Sequence, residues 1–538
     1  MTAESSLVFG ERLRRIAAIV KADVFIRIRR SSTLVVFLLL SGLAYLSMPD
    51  PATGSALMIV DHRRALYNSA AIGLATAVLV SVFVGLAGFY VISNAVSRDV
   101  RSRCGLVIAS TTMRSGEYVV AKAAGNLVFL AVFTTGFMVS SMAMLLVRHE
   151  APLEPWVFVK QYLLIVPPAL VLVAVLAIVF ESVSFLSGRF GDVVYFVLYL
   201  VCLALPLSLT ITSDSPAFAR YIDISGMAFT FEQLRPLIKG DSLAIGHSPF
   251  DPSQPPFVVP GFSTNADCVV ARLVLMAAPL VLLVLAARSF HRFDPAHVRK
   301  VEERSRRGRL ASINRALKPL LRARVAFAPL AGRTSVPASL LRAAAADARM
   351  TFACYPVLLA AVLAVAVGAI VCPPAALLPG VLPPAFFIAA LAIADMPCRE
   401  RRSGTLMMVY STPALKPHFV WWKLIGTMVV AFAVVSVPLG RVALSHPASV
   451  PSVGAGVFFV AATATALGVI SVTPKTFTLV FLTLLYGALN SGGASPVLDF
   501  GGFHGSAAPL VTLSYIIAAE VLVLAAQGVH SVRLRQDS

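Results

Sequence analysis

Two loops of the chain carry the same arrangement of charged and turn-forming residues, and these are the strongest candidates for chemistry. In the first loop they are Arg98, Asp99, Arg101, Gly105 and Lys122. In the second loop they are Arg399, Glu400, Arg402, Gly404, Thr412, Pro413 and Lys423. Cations interleaved with carboxylates form charge-assisted hydrogen bonds, and glycine permits a tight turn beside them. The alternative is that these charges only follow the general excess of Lys and Arg in cytoplasmic loops.

A second group of candidates consists of ionisable residues in or near apolar segments. Glu520 lies inside a long apolar run, where a lone carboxylate costs a few kcal/mol unless it faces a cavity or a polar partner. It would therefore contact a cationic or polar substrate, pair locally, or form a helix–helix hydrogen bond while protonated. Arg272 lies near the outer end of another apolar run and could reach phosphate groups. Other acidic residues near span ends favour an interfacial position: Glu181, Asp192, Asp267 and Asp395.

The remaining reactive residues do not gather into a catalytic motif. Six cysteines and nine histidines are dispersed, without a CxxC pair or a histidine-flanked cluster. The dipeptide Gly-Lys does not occur, so the chain has no phosphate-binding loop of the G-x-x-x-x-G-K-[ST] type. We therefore expect no catalytic, cofactor-binding or metal-binding residues, and no hydrolysis of ATP by this chain.

The composition is that of a membrane protein. The chain has 538 residues, of which 58% are hydrophobic and only 13% are charged, and its mean hydropathy is +0.84. Apolar runs of about 20 residues are long enough to cross a bilayer core of roughly 30 Å. The predicted fold is all-α, with about twelve transmembrane helices. We place them at 31–48, 68–95, 120–147, 161–182, 192–212, 267–288, 353–373, 378–396, 419–440, 453–473, 476–492 and 507–528.

The distribution of charge predicts the orientation of these spans. The formal net charge of +19 is concentrated in alternate loops, as the positive-inside rule requires. Both termini are therefore predicted to be cytoplasmic, in a bacterial inner membrane. The predicted regions are an N-terminal cytoplasmic amphipathic helix at 1–30, a first six-helix half at 31–288, a basic cytoplasmic linker at 289–342, and a second six-helix half at 343–538. The two charged loops, 98–122 and 399–423, are both cytoplasmic, whereas the loop 213–266 is external.

The linker and the segments that precede each half have helical patterns. Leu310, Ile313, Leu317 and Leu321 fall on one face of a basic helix, which predicts a helix lying on the inner leaflet. Binding of nucleic acid is the alternative, but anionic lipid explains the same charge beside a span. A helical segment with an aspartate leads into each half, at Asp23 and at Asp347. The two halves are therefore internal repeats, as in many transporters.

The repeated loops resemble those of the membrane subunits of ABC-2-type transporters. The pattern of that family is R-E-R-x-x-G-T-L, then S-x-P or S-T-P, then a lysine. The stretch Arg399 to Lys423 matches it closely. The stretch Arg98 to Lys122 matches it more loosely, because Leu106 replaces the Thr and Thr112 replaces the Pro. The resemblance covers the whole chain as two fused copies, but its specific signal comes from about fifty residues.

This resemblance implies a function and partners. In the family, each loop forms a coupling helix that docks on a separate ATPase, so two ATPase copies would bind one chain. ATP and Mg would be held by those partner subunits, and the charges of the loops would pair with the ATPase or brace the leading helix. The chain would export a hydrophobic or amphipathic substrate such as a drug, peptide, lipid or polysaccharide. Short helices within 216–239 would dip into the outer leaflet and help to gate the exit, whereas the alternative is a solvated connector.

Two other classes of protein remain as alternatives. An ion-coupled secondary transporter of the major facilitator type also has twelve spans, a basic middle linker and charged loops, but its loops are compact and their glycine precedes the charges. A membrane-embedded lipid-modifying enzyme needs clustered His, Asp or Glu at one membrane face, and the histidines here are dispersed.

Overall fold

The structure, a computed structural model, describes most of the chain outside the central linker. The described residues are 3–29, 37, 41–42, 44–45, 47–148, 150–183, 186, 189–212, 216–238, 243–261, 266–288, 290, 336–354, 356–412, 415–490, 493, 496–505 and 508–536. They form two compact units, Met1–Glu302 and Glu303–Ser538. The amphipathic helix predicted in the linker, Pro413 and most of the first predicted span lie outside the described residues.

The first unit consists mainly of apolar helices. In chain order they are α1 (Ala3–Ile28), α2 (Ser69–Phe83), α3 (Phe89–Ile92), α4 (Ala95–Arg101), α5 (Cys104–Ala109), α6 (Ser115–Arg148), α7 (Pro155–Ile165), α8 (Pro167–Ser182), α9 (Arg189–Thr212), α10 (Pro216–Ala219), α11 (Met227–Leu234) and α12 (Ala266–Arg288). A π-helical turn at Val84–Gly88 joins α2 to α3. Tyr195 of α9 donates a hydrogen bond to the carbonyl of Gly85 in this turn, so a group freed by the irregular helix stays paired.

The first unit also contains a small antiparallel sheet that the all-α prediction omitted. Its strands are β1 (Ser55–Val60), β2 (Arg63–Arg64) and β3 (Leu243–Pro249), in the order β2-β1-β3. Tyr67 links β1 to the residues before it. Its hydroxyl donates to the carbonyl of Pro49 at 2.9 Å and accepts from the amide of Leu57 at 3.2 Å. Burial raises the pKa of Tyr67 to about 12, so the phenol remains a neutral donor at physiological pH.

The loop 213–266 contains two short helices and a strand, so it has more regular secondary structure than a solvated connector. The predicted short helices occur at α10 and α11, and a 3-10 turn follows at Arg235–Leu237. Asp223 caps this region, since its carboxylate accepts from the amides of Gly226 and Phe229 at 2.9 Å each. The segment that follows is not a simple proline-rich tether, because it contains β3 and because Phe257 bridges to Ala65.

All regular secondary structure in the described part of the second unit is helical. Its helices are α13 (Val336–Cys354), α14 (Pro356–Val371), α15 (Pro374–Ala376), α16 (Leu382–Ile393), α17 (Arg399–Ser403), α18 (Leu406–Tyr410), α19 (Phe419–Ser445), α20 (Val450–Ser471), α21 (Pro474–Asn490) and α22 (Pro509–Gln536). A π-helical turn at Leu377–Val381 precedes α16. Its core is formed largely by α20, which packs against both α19 and α22.

The described helices confirm a multi-pass membrane protein but not the predicted number of spans. Eight helices are long and apolar enough to cross a membrane, and the number rises to ten if each of two bent pairs is one span. The predicted span 476–492 corresponds to a shorter apolar helix, Pro474–Leu489. This helix and the partly described span 31–48 would raise the number of spans from ten to twelve. The number twelve therefore stays a prediction.

Candidate functional site: two buried lysine and carboxylate clusters

Lys122 is the centre of a buried cluster in the first unit. Its Nζ lies 2.9 Å from Oδ2 of Asp23 and 2.7 Å from Oδ2 of Asp99. Arg98 also forms an ion pair with Asp23, and the hydroxyl of Tyr118 donates to Oδ2 of Asp99 at 2.8 Å. Two cations and two carboxylates are thus balanced, as the burial of Lys122 (3% exposed) requires.

Lys423 is the centre of an equivalent cluster in the second unit, where it is fully buried. Its Nζ lies 2.6 Å from Oδ2 of Asp347 and 2.6 Å from Oε1 of Glu400. The guanidinium of Arg399 lies 3.4 Å from Oδ1 of Asp347. Asp395 also pairs with Arg399, so two cations here face three carboxylates. The ring of Phe419, at the position of Tyr118 in the first cluster, lies 5.6 Å from Nζ.

The same three elements supply the groups in both units. The leading helix, α1 or α13, supplies the aspartate; the short helix α4 or α17 supplies the arginine and its acidic neighbour; and the long helix α6 or α19 supplies the lysine. One turn further along each long helix, Gly125 faces Asp23 and Gly426 faces Asp347. Removing one partner from such a cluster leaves an unpaired buried charge, so the clusters hold three helices in one arrangement.

Glu181, which sequence analysis placed only at a membrane interface, positions the short helix of the first unit. Its carboxylate accepts backbone N–H bonds from Ala95 at 3.0 Å and from Val96 and Ser97 at 2.9 Å each, and Asn94 donates to it as well. A carboxylate at a helix N-terminus satisfies the free N–H groups and matches the helix dipole. In the second unit, Asp395 instead pairs with Arg399 at 3.2 Å.

The turn after each short helix has a left-handed residue, although not at both predicted glycines. Gly404 has φ +73° and ends α17, as the prediction of a tight turn requires. In the first unit the left-handed residue is Arg103, at φ +60°. Gly105 instead lies buried inside α5, where its backbone is helical. In the first loop, which matches the family pattern less closely, an arginine and not a glycine makes the turn. A residue with a side chain adopts this left-handed conformation at a cost in conformational energy.

Each loop then presents a pair of exposed apolar side chains on a short helix. On α5, Leu106 and Val107 are 52% and 68% exposed; on α18, Met407 and Met408 are 72% and 75% exposed. Leu106 follows Arg98 by eight residues, and Met407 follows Arg399 by the same number. Exposed apolar pairs at equivalent positions of two charged loops are candidates for contact with a partner or with lipid.

The structure separates Arg402 and Thr412 from the second cluster. Arg402 is exposed on α17. Thr412 is exposed at the turn after α18, where its carbonyl accepts from the amide of Leu415 at 3.1 Å. Arg101 is the last residue of α4, and Pro413 lies outside the described residues. Arg402 and Thr412 are thus accessible at the surface, whereas Arg98, Asp99, Arg399 and Glu400 brace the leading helices.

The two residues suggested for a substrate pathway have different environments. Arg272 is buried: it donates to the carbonyl of Asp223 at 2.5 Å, and its guanidinium lies 3.4 Å from the carboxylate of that residue. It therefore fixes α12 to the turn before α11 instead of extending toward phosphate groups. Glu520 is exposed on α22, among the exposed apolar residues Ile517, Val521 and Leu524.

His530 is a further contact of the second loop that sequence analysis did not single out. Its Nε2 lies 2.9 Å from the carbonyl of Lys416, and its Nδ1 lies within 3.5 Å of the Tyr410 hydroxyl. The ring also stacks on Phe419 at 5.5 Å. In the first unit the same place is taken by Phe290, which packs on Tyr118 at 5.5 Å without polar groups.

The described residues contain no group of three His, Cys, Asp or Glu side chains that could hold a metal ion. Comparison of the chain with protein-family models, with curated proteins and with solved structures gives no match.

Proposed function

We propose that the chain is the membrane subunit of an ABC-2-type exporter and that a separate ATPase drives it. The observation that carries this proposal is the repeated surface, in which an exposed apolar pair on a short helix adjoins a buried lysine cluster in both units. A facing ATPase would cover Leu106 and Val107 in one loop and Met407 and Met408 in the other. One chain would then bind two ATPase copies.

The clusters would transmit movement from these docking sites to the membrane helices. Because Lys122 joins α1, α4 and α6 through Asp23 and Asp99, a displacement of the short helix must displace the other two or break buried ion pairs. Lys423 joins α13, α17 and α19 in the same way. The ATPase subunits would hold ATP and Mg, and the chain would supply the passage.

The proposed cargo is hydrophobic or amphipathic, in the range of drugs, peptides, lipids and polysaccharides. Glu520 supports a passage beside α22, because a carboxylate on an exposed apolar face needs a polar or cationic partner. The proposed location is a bacterial inner membrane with the docking surfaces and both termini in the cytoplasm, which the excess of Lys and Arg in these loops supports.

Co-purification tests the proposal. The tagged chain is isolated from its native membranes in mild detergent, and ATPase subunits are identified and counted by mass spectrometry. We expect about two copies per chain, about one after Met407→Glu with Met408→Glu, and none when Leu106→Glu and Val107→Glu are added. The matched control is Val497→Glu with Leu498→Glu, an exposed apolar pair after α21 that should leave both copies bound.

Two results would contradict the proposal. If the unchanged chain purifies without an ATPase, an ion-coupled transporter of the facilitator type becomes the better explanation. If both ATPase copies remain bound to the four-glutamate variant, the exposed pairs are not the docking surface.

A further inference from the structure

The leading helix α1 and the long helix α6 form an open apolar groove on the flank of the first unit. Its volume is about 480 Å³, and most of it is open to the surroundings, unlike an enclosed ligand pocket. Its apolar lining consists mainly of Leu13, Ile16, Val20, Val24, Phe25 and Val128. Leu13 and Phe25 are each half exposed, so α1 leaves apolar surface open along its length.

The contacts of α1 place this groove beside a membrane-spanning helix. Arg12 pairs with Glu117 at 3.4 Å, near the start of α6. Arg27 lies over the ring of Phe129 at 5.3 Å, about four helical turns from the start of the same helix. The helix α1 therefore follows α6 from its first turn into the length that is apolar enough to cross a membrane. Lipid is the solvent available to this flank.

Cations follow the open side of α1 at intervals of two helical turns. Lys21 lines the groove itself, and Arg14 and Arg29 are exposed seven residues before it and eight residues after it. Neither Arg14 nor Lys21 forms an ion pair with any described residue, whereas Asp23 and Arg27 on the opposite side are buried in the protein. Within the described residues Lys21 thus has no acidic partner, and an ammonium beside an apolar groove is complementary to an anionic head group with an acyl chain.

We propose that this groove binds an anionic phospholipid of the adjoining leaflet. Its acyl chain lies against Ile16, Val20 and Val128, and its phosphate contacts Lys21 and Arg14. A lysine stem covers apolar surface while its ammonium reaches the head-group level, which suits Lys21 at the rim. The site is independent of the identity of the cargo and of the ATPase. It makes the position of α1, and through Asp23 that of the first cluster, dependent on anionic lipid.

Tryptophan quenching by brominated lipids tests this site in the full chain. Phe25→Trp is introduced after Trp156, Trp421 and Trp422 are changed to Phe, and the protein is reconstituted in phosphatidylcholine bilayers. Brominated phosphatidylglycerol or brominated phosphatidylcholine is then added. We expect the phosphatidylglycerol to quench with roughly tenfold higher affinity, since two cations favour it at the surface. Lys21→Ala with Arg14→Ala should abolish that preference and leave the melting temperature unchanged in detergent.

The control is Lys160→Ala with Arg235→Ala, two cations away from the groove, which should preserve the preference. Equal quenching by both lipids would overturn the proposal and leave only ordinary boundary lipid at α1. Absence of quenching by either lipid would also overturn it, because protein would then cover the groove.

Discussion

A buried lysine is tolerated only where carboxylates neutralise its charge, and equivalent helices supply these carboxylates in the two clusters. Lys122 and Lys423 each contact one carboxylate from the leading helix and one from the short helix. Desolvation of these charges is costly, so a well-paired cluster adds little net stability, whereas breaking it is strongly unfavourable. The clusters are therefore better understood as devices that specify one arrangement of three helices.

Replacing either buried lysine tests this view. Lys122→Met or Lys423→Met should destabilise its unit by about 3–5 kcal/mol, because two carboxylates lose their shared cation. Adding Asp99→Asn to Lys122→Met should restore part of the loss, since one carboxylate is removed and Asp23 still pairs with Arg98. Thermal unfolding in detergent measures both effects. Lys160→Met, a half-buried lysine outside the clusters, is the control, and an equal loss there would show that the clusters are not special.

Glu181 gives a second prediction at the residue scale. Glu181→Gln removes the charge that caps α4 and half of its acceptors, at a cost of about 1–2 kcal/mol. Hydrogen exchange of the amides at 94–101 should accelerate, while exchange at 399–403 stays unchanged. Glu520→Gln, a change of the same kind at an exposed residue, should affect neither segment. Unaltered exchange at 94–101 would mean that other contacts hold this helix.

The sequence allowed the loop charges and the two leading aspartates to be identified, because their spacing repeats within each half. It left open whether the charges meet a partner or brace the leading helix, since that depends on which side of a helix faces the protein. Glu181 could not be assigned by any local pattern, because it lies on α8, far along the chain from the amides that it caps.

At the scale of elements, the two loops differ in how the last helix of each unit holds them. His530 of α22 bonds the carbonyl of Lys416, whereas Phe290, after α12, offers only apolar contact to Tyr118. Gln527 adds a bond from α22 to the carbonyl of Pro417 at 3.2 Å. Hydrogen bonds therefore hold the second loop to the C-terminal helix α22. In the described part of the first unit, the corresponding contact is the packing of Phe290 on Tyr118.

His530→Phe should separate these two kinds of contact. The ring still stacks on Phe419, but the hydrogen bond to Lys416 is lost, which typically costs about 0.5–1.5 kcal/mol. We expect faster hydrogen exchange at 410–418 and unchanged exchange at 104–112. His446→Phe, at the opposite end of α19, is the matched control. If exchange at 410–418 does not change, stacking alone positions the loop.

The small sheet shows why elements formed by distant segments escaped the sequence analysis. The segment β3 contains Gly246 and polar residues, and its pairing with β1 joins segments nearly two hundred residues apart. Periodicity within a short window carries no information on such pairing. The long apolar helices, in contrast, are visible from composition alone, and they were predicted at nearly the positions where they occur.

At the scale of the whole molecule, the candidate span Ser69–Val100 lies between the sheet and the first charged loop. The sheet precedes this 32-residue span and the charged loop lies at its end, so a single crossing would put them on opposite sides of the membrane. The proposed topology has the charged loop in the cytoplasm, because the loop is basic.

Labelling with a membrane-impermeant maleimide tests this assignment. Cys104 is exposed in the first docking loop, and the other five cysteines are changed to alanine. We expect Cys104 to react in inverted vesicles and not in intact cells. In a chain without Cys104, Val258→Cys near the sheet should react only in intact cells, since Val258 is exposed on the other side. The reverse pattern would invert the proposed topology.

The left-handed turn is made by different residues in the two loops, and this difference is possible because both loops belong to one chain. Gly404 fits that turn without strain, whereas Arg103 adopts it at a cost. Two identical subunits could not differ in this way, because every substitution would appear in both. In the proposed fused chain, each loop can change without the other, so one loop can hold a strained turn that its counterpart lacks. Arg103→Gly should remove that strain and raise the melting temperature of the first unit in detergent.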